Sequence, residues 1–158
     1  LVDAAEIVGN LVDLLRDIPD LVEAMNGDAA KIYAYEDRYP KNNSLERAKG
    51  LVPSPGIMIG FEGSGPARYG EQEVWEYRLS ASFRAAVDAG DPTPSGYYRL
   101  FRLLVKGVPS SGDGTAMQYR TVHESCMPMG TPMMDRKIDI NGNDYFEVSL
   151  SFIEMGDD

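Results

Sequence analysis

The sequence is poor in the residues that most chemistry needs. It has one cysteine, Cys126, and one histidine, His123. A single thiol makes no intrachain disulfide and says little about redox compartment. One imidazole leaves little room for a metal cluster or a histidine-based acid–base pair. Positive charge is also short. Fifteen Lys and Arg stand against 25 Asp and Glu, for a formal charge of -10. So acidic a chain is a poor clamp for DNA or RNA, which takes clustered positive charge against phosphates. No apolar run approaches the roughly 20 residues of a membrane span. No basic stretch leads into an apolar one at the start, so no secretory signal is expected.

What is present suits one ordinary domain over 1–158. The chain is 43% hydrophobic, enough to bury a core, and its 16 Gly and 10 Pro predict loops rather than a helical bundle. There is no internal repeat. The acid is unevenly spread. Residues 1–30 hold seven acids (Asp3, Glu6, Asp13, Asp17, Asp20, Glu23, Asp28) against Arg16, and the C-terminal tip adds Glu154, Asp157 and Asp158. The middle of the chain is close to neutral. The acidic end either keeps the molecule soluble or forms a surface set against a basic partner, or against DNA it must not hold.

Segment 3–16 predicts a helix, with Ile7, Val8, Leu11, Leu14, Leu15 and Ile18 at helical spacing. Asp3, Glu6, Asn10, Asp13, Asp17 and Asp20 fall on the other side. Pro19 breaks the helix and opens a second turn over 20–25, which Asn26-Gly27 ends. The acidic helical region thus spans about 3–25. Lys31–Glu36 reads as a strand, with Ile32 and Ala34 on one side and Tyr33 and Tyr35 on the other. Ser44 caps a short helix over 45–49, stopped by Gly50. Pro53–Gly56 is a rigid turn, Ile57–Glu62 a strand and Gly63–Tyr69 a glycine-rich loop. Val74–Val87 alternates over its whole length, with Trp75, Tyr77, Leu79, Ala81, Phe83 and Ala85 against Glu76, Arg78, Ser80, Ser82 and Arg84. Such a strand belongs to an antiparallel sheet with one wet or partner-facing side.

A second helix is expected over 97–108, a flexible loop over 109–114 and a strand over 117–124. The segment 125–136 is rich in Met and Pro and has no clear period. A short strand, Lys137–Ile140, leads into the Asn141-Gly142 hairpin signal. Tyr145–Glu154 is the last strand. Strands follow one another without regular crossover helices. The fold class is therefore α+β, a mixed or antiparallel sheet with helices packed on one face.

The motifs yield no active site. Gly60-Phe61-Glu62-Gly63-Ser64-Gly65 fits neither the dinucleotide fingerprint nor a P-loop, and a hairpin accounts for the glycines. Asp139–Asp144 begins like a calcium loop, but its sixth position is Asp144 and its twelfth Leu150. His123 and Cys126 lack a visible third group to orient them. Met127, Met129, Met133 and Met134 have the thioether chemistry of soft-metal ligands, but with two prolines and no histidine they read as an arm packing on a neighbour. No catalysis, cofactor or metal is expected.

The order and texture of the whole chain resemble the tail terminator, or tail completion, proteins of long-tailed bacteriophages. The resemblance rests on LVDLLRDIPDLVEAM, KIYAYEDRYP, LVPSPGIMIGFEG, VWEYRLSASFRAAV, YYRLFRLLVKGV and NDYFEVSLSFIEMGDD. It implies a structural virion protein of the tail or neck, assembled in the host cytoplasm as a ring, with a hexamer expected. Such a ring caps the tail tube protein, ends its polymerisation and offers a surface to the head–tail connector or stopper protein. Genomic DNA passes through without specific binding, and no membrane is involved. No functional residue carries over by motif, and the Met-rich segment has no place in the family pattern. Neighbouring virion parts, a stopper or the tube protein itself, share the texture, and a small-ligand or enzymatic domain is the third reading.

The residues themselves supply the candidate surfaces. Arg68, Glu71, Glu73, Glu76, Arg78 and Arg84, with Met127, Met129, Met133 and Met134, are the candidate interface with other subunits or partners. The loops expected at 63–73 and 109–116 would serve the same contacts. Asp3, Glu6, Asp13, Asp17 and Asp20 are the candidate DNA-repelling stripe.

Overall fold

A computed structural model gives the structure of residues 2–38, 44–85, 102 and 122–155. The expected helix at 97–108, apart from Arg102, and the loop at 109–116 lie outside these residues, as do Asp157 and Asp158.

Helix α1 spans Ala4–Arg16. Its first turn is capped by Asp3, whose carboxylate accepts the Ala5 N–H at 3.0 Å, the usual way to satisfy an orphan helix donor. Ile7, Val8, Leu11, Val12 and Leu15 are buried along one side, each contributing roughly 1.5–3 kcal/mol relative to exposure. At its far end Arg16 donates Nε to the carbonyls of Ala29 (3.1 Å) and Ile32 (2.8 Å). Helix α2, Pro19–Ala24, has its proline at the first helical position. There the missing N–H costs nothing. Asn26 and Gly27 take positive φ, and the Gly27 N–H reaches back to the Val22 carbonyl at 2.9 Å. That bond closes the helix end as a Schellman turn.

Strand β1 covers only Ile32–Ala34, and Tyr35–Arg38 forms a single helical turn, α3. The expected strand over 31–36 is shortened because the chain folds back. The Arg38 guanidinium then stacks 4.1 Å over the Tyr33 ring. Helix α4, Leu45–Lys49, starts at Ser44, whose Oγ accepts the Arg47 N–H at 3.2 Å, and stops at Gly50.

Strand β2 runs over Gly56–Tyr69 and β3 over Gln72–Arg84. The loop expected at 63–69 is thus a strand, and no long loop separates it from β3. A tight turn through Gly70, at φ +64, joins the two. Alternation was hidden here because Gly63 and Gly65 show no side chain, although they face Arg78 and Glu76 in register. Only Glu62 has no cross-strand partner, at a bulge between Phe61 and Gly63.

Strand β4 is Cys126–Ile138 and β5 is Asp144–Met155. The Met/Pro-rich segment, expected to be irregular, is part of β4. Its irregularity survives as a register shift between Met129 and Met133, with Gly130 at φ +76. Residues 122–124, the described part of the strand expected at 117–124, are not in a strand.

The sheet order is β1-β2-β3-β5-β4, with β1 parallel to β2 and the other pairs antiparallel. The fold is α+β around a mixed sheet. Helices α1 and α2 pack on one face, against Ile57, Ile59, Tyr77, Leu79, Ala81, Phe83, Val148, Leu150 and Phe152. A smaller cluster of Tyr33, Ala48, Val52 and Met58 lies under α4 on the other face. The second face of β3 is therefore not uniformly wet. Ser82 lies beside Met58 under this corner, and Ser80 and Ser82 are buried.

Candidate functional site

The β2–β3 hairpin carries most of the candidate interface. Arg68 lies opposite Glu73 across its tip, with Glu71 in the turn, and all three are exposed. Tyr69 adds a large half-exposed ring. A regular two-stranded base thus presents charge of both signs and one aromatic, a composition suited to a polar contact.

Farther down, Glu76 and Arg78 turn to each other. Arg78 Nε lies 3.8 Å from Glu76 Oε1, and the Ser151 hydroxyl donates to Glu76 Oε2 at 2.8 Å. Arg78 passes over Gly63, where a Cβ would crowd its guanidinium at 3.2 Å. Arg78 stays exposed and available to a partner; Glu76 is mostly engaged within the chain.

Arg84 is placed differently from the exposed interface it was expected to join. Its guanidinium meets Asp139 Oδ2 at 2.5 Å and the carbonyls of Val52, Gly50 and Asp144 at 3.0, 3.1 and 3.3 Å. It is an internal clamp joining the α4–β2 connection to the β4–β5 loop. The Asp139 carboxylate also accepts the N–H groups of Asn141 and Asn143 at 2.8 and 2.9 Å. The Asn143 N–H above all, then those of Asn141 and Arg84, hold the Asp139 carboxyl below its ordinary range. The calcium-like run is thereby filled by the protein's own donors, and Asp144 is taken by Arg136 at 2.6 Å. Ile138 at the end of β4 and Ile140 in the clamped loop are exposed, the latter at 98%.

Sequence reasoning missed Lys49. It is 2% exposed, and its Nζ lies 2.5 Å from Glu62, 2.7 Å from Glu46 and 3.2 Å from Glu147. Burial pulls the ammonium toward deprotonation. The three carboxylates outweigh it and hold Lys49 above the ordinary lysine value. One cation thus ties α4 to β2 and β5. No local sequence pattern marks this: Glu62 is placed by the bulge, where it has no strand partner and turns to the lysine.

The methionines do not act as one arm. Met134 packs on the main core. By register Met127, Met129 and Met133 lie on the opposite face, beside Ile153, Ser151 and Ser149, and Met133 is 70% exposed. A small cleft lined by Met129, Gly130, Pro132 and Ser149 marks the register shift.

The acidic stripe is present. Asp3, Glu6, Asp13, Asp17 and Asp20 are all exposed on the outer side of α1 and at the start of α2. Its middle is bordered by the turn before β4. The Asn10 amide donates to the Val122 carbonyl at 2.6 Å, and Glu6 lies 3.7 Å from His123 Nε2. Glu154, grouped by sequence with the acidic tip, instead faces inward. Its Oε2 accepts the Val2 N–H at 3.2 Å and lies 2.8 Å from the Tyr77 hydroxyl. Tyr77 also lies 2.9 Å from the Val2 carbonyl, and with one proton it donates to one oxygen at a time. Burial, then Glu154, push Tyr77 up to about 12.

Cys126 is buried, and burial followed by Glu154 pushes its thiol up to about 11. An activated nucleophile needs the opposite shift. His123 Nδ1 accepts the Ser125 N–H at 3.0 Å. Among the described residues no group of three or more His, Cys, Asp or Glu is placed to hold a metal ion. None of the described helices is long and apolar enough to cross a membrane. No protein-family model matches the chain, and no curated protein does.

Proposed function

We propose that this chain is a structural assembly protein of the tail-terminator kind, a subunit of a ring that caps a phage tail tube and joins it to the head connector. The observation that carries the reading is the division of charged side chains. The buried Lys49 and the partly buried Arg84 are consumed inside the subunit. The hairpin tip of Arg68, Tyr69, Glu71 and Glu73 and the acidic side of α1 point outward. A rigid body with a polar contact surface on one extension and an acidic surface elsewhere suits head-to-tail subunit contacts, which close into rings when the rotation allows. Acid on a channel wall gives no counterion-release affinity, so DNA would pass without being held. Virion location, hexameric state and the partners, tube protein and connector or stopper, belong to this proposal.

The test is assembly. The chain is added to polymerising tail tube protein, and tube length and ends are read by negative-stain imaging, with mass measured in solution. Capped tubes of arrested length support the reading. Uncapped tubes of unchanged length, with a strictly monomeric chain, overturn it. Tubes built from this chain alone would make it the tube subunit.

A further inference from the structure

The sheet has two outer edges among the described residues. Strand β1 is only three residues long and pairs with Ile57–Ile59, leaving β2 from residue 60 to residue 69 with no described strand outside it. On the other side, β4 has β5 as its one described neighbour. An open edge offers a row of N–H and C=O groups to any strand that reaches it.

Both edges are interrupted along their length. In β2 the bulge leaves Glu62 unpaired, and Pro66 follows within a stretch, Gly63–Tyr69, paired without a break to β3. A proline inside a regularly paired edge strand sits with its missing donor turned outward. Pro66 therefore removes an N–H from the middle of the open row. In β4, Pro128 does the same. Gly130 and the register shift then bend the strand, and Pro132 lies within the shift. Beyond it come Asp135, Arg136 and Lys137, three exposed charges in succession. Short strands, prolines, bulges and edge charges are the devices by which sheets avoid edge-to-edge pairing.

We infer that this sheet is closed to strand addition, so copies of the chain meet through side-chain surfaces and never by continuing one another's sheet. The inference stands apart from the ring reading, since a chain that stays monomeric needs the same protection.

Restoring the missing donors tests it. Pro66→Thr, Pro128→Thr and their combination are incubated beside the unaltered protein at about 100 μM, a concentration at which exposed edges aggregate. Light scattering and an amyloid dye are followed. Near-UV circular dichroism and melting temperature verify the fold. The combined variant should gain scattering and dye signal at least tenfold faster than the parent. Folded variants that stay as clear as the parent overturn the inference, and so does dye-positive fibre growth by the parent itself. If a threonine variant melts lower than the parent, Pro66→Ala restores the same N–H with a smaller side chain and is measured in its place, with the same two outcomes.

Discussion

Arg84 closes on Asp139 at 2.5 Å, across 55 residues of sequence, and so locks the end of α4 to the β4–β5 loop. The same guanidinium satisfies the carbonyls of Val52, Gly50 and Asp144. Arg84→Met should lower the melting temperature by roughly 6–12 °C, because it strands a carboxylate and several carbonyls together. Arg84→Lys should recover little, since an ammonium cannot reproduce the planar fork. Thermal denaturation of the two variants checks both. Full recovery by lysine would mean that charge alone matters.

Lys49→Met should destabilise the fold by about 3 kcal/mol, the low end for orphaning buried charge, since Glu46 remains in water. Denaturant titration measures this, with the midpoint moving and the slope unchanged. A neutral result would mean that the three carboxylates tolerate one another without the lysine.

Gly60 lies under Leu45, and a Cβ there would collide with the leucine methyls. Gly60→Val should cost roughly 1–3 kcal/mol by overpacking. Adding Leu45→Ala should return part of that loss, a coupling readable in a double-mutant cycle. Additive costs would show that α4 does not rest on β2 at this point.

Stability should fall at both ends of the pH scale. Lys49, Tyr77 and Cys126 hold protons more tightly when folded than their ordinary values of 10.5, 10.0 and 9.0. Their contributions are complete below about pH 9 and drain away as pH rises through their folded values. Asp139 is shifted the other way. Its contribution is present above the ordinary carboxylate value and is lost as pH falls through the depressed one. Urea midpoints across pH 3–11, an approximate window set by these groups, should form a plateau with falling shoulders. A midpoint still rising above pH 10 would contradict the alkaline assignment.

Glu71→Lys with Glu73→Lys should leave folding within about 0.5 kcal/mol, because both side chains are exposed. If the hairpin tip is the contact surface, the same pair should weaken ring formation or tube capping at least tenfold. Unchanged capping would move the contact elsewhere on the subunit.

Much of the fold was legible because side-chain periodicity is legible. The stripe from Ile7 to Leu15, the alternation of β3 and β5, the cap at Ser44 and the Asn26-Gly27 stop all stand in the structure. What was hidden had a physical cause in each case. Glycine carries no side chain, so Gly63 and Gly65 broke the visible alternation of β2 without breaking the strand. Methionine and proline carry little strand signal, and the pairing of β4 with β5 is interrupted between Met129 and Met133, although Met133 stays on the face of Met127 and Met129 while Met134 turns to the core. The roles of Lys49, Arg84 and Glu154 depend on partners far away in sequence, Glu147, Asp139 and Tyr77, which no local pattern announces.

The bulge at Glu62 has a genetic consequence. Phe61 and Gly63 already face consecutive partners, Leu79 and Arg78. Loss of the single codon between them would leave every downstream pair of the hairpin in place. A deletion there is one the sheet would absorb, while α4 would lose the carboxylate closest to its buried lysine. Insertions or deletions elsewhere in β2 would instead turn the exposed residues of the tip onto the opposite face. Length variation in this strand is therefore tolerable at one position, and its effect would fall on how firmly α4 is held.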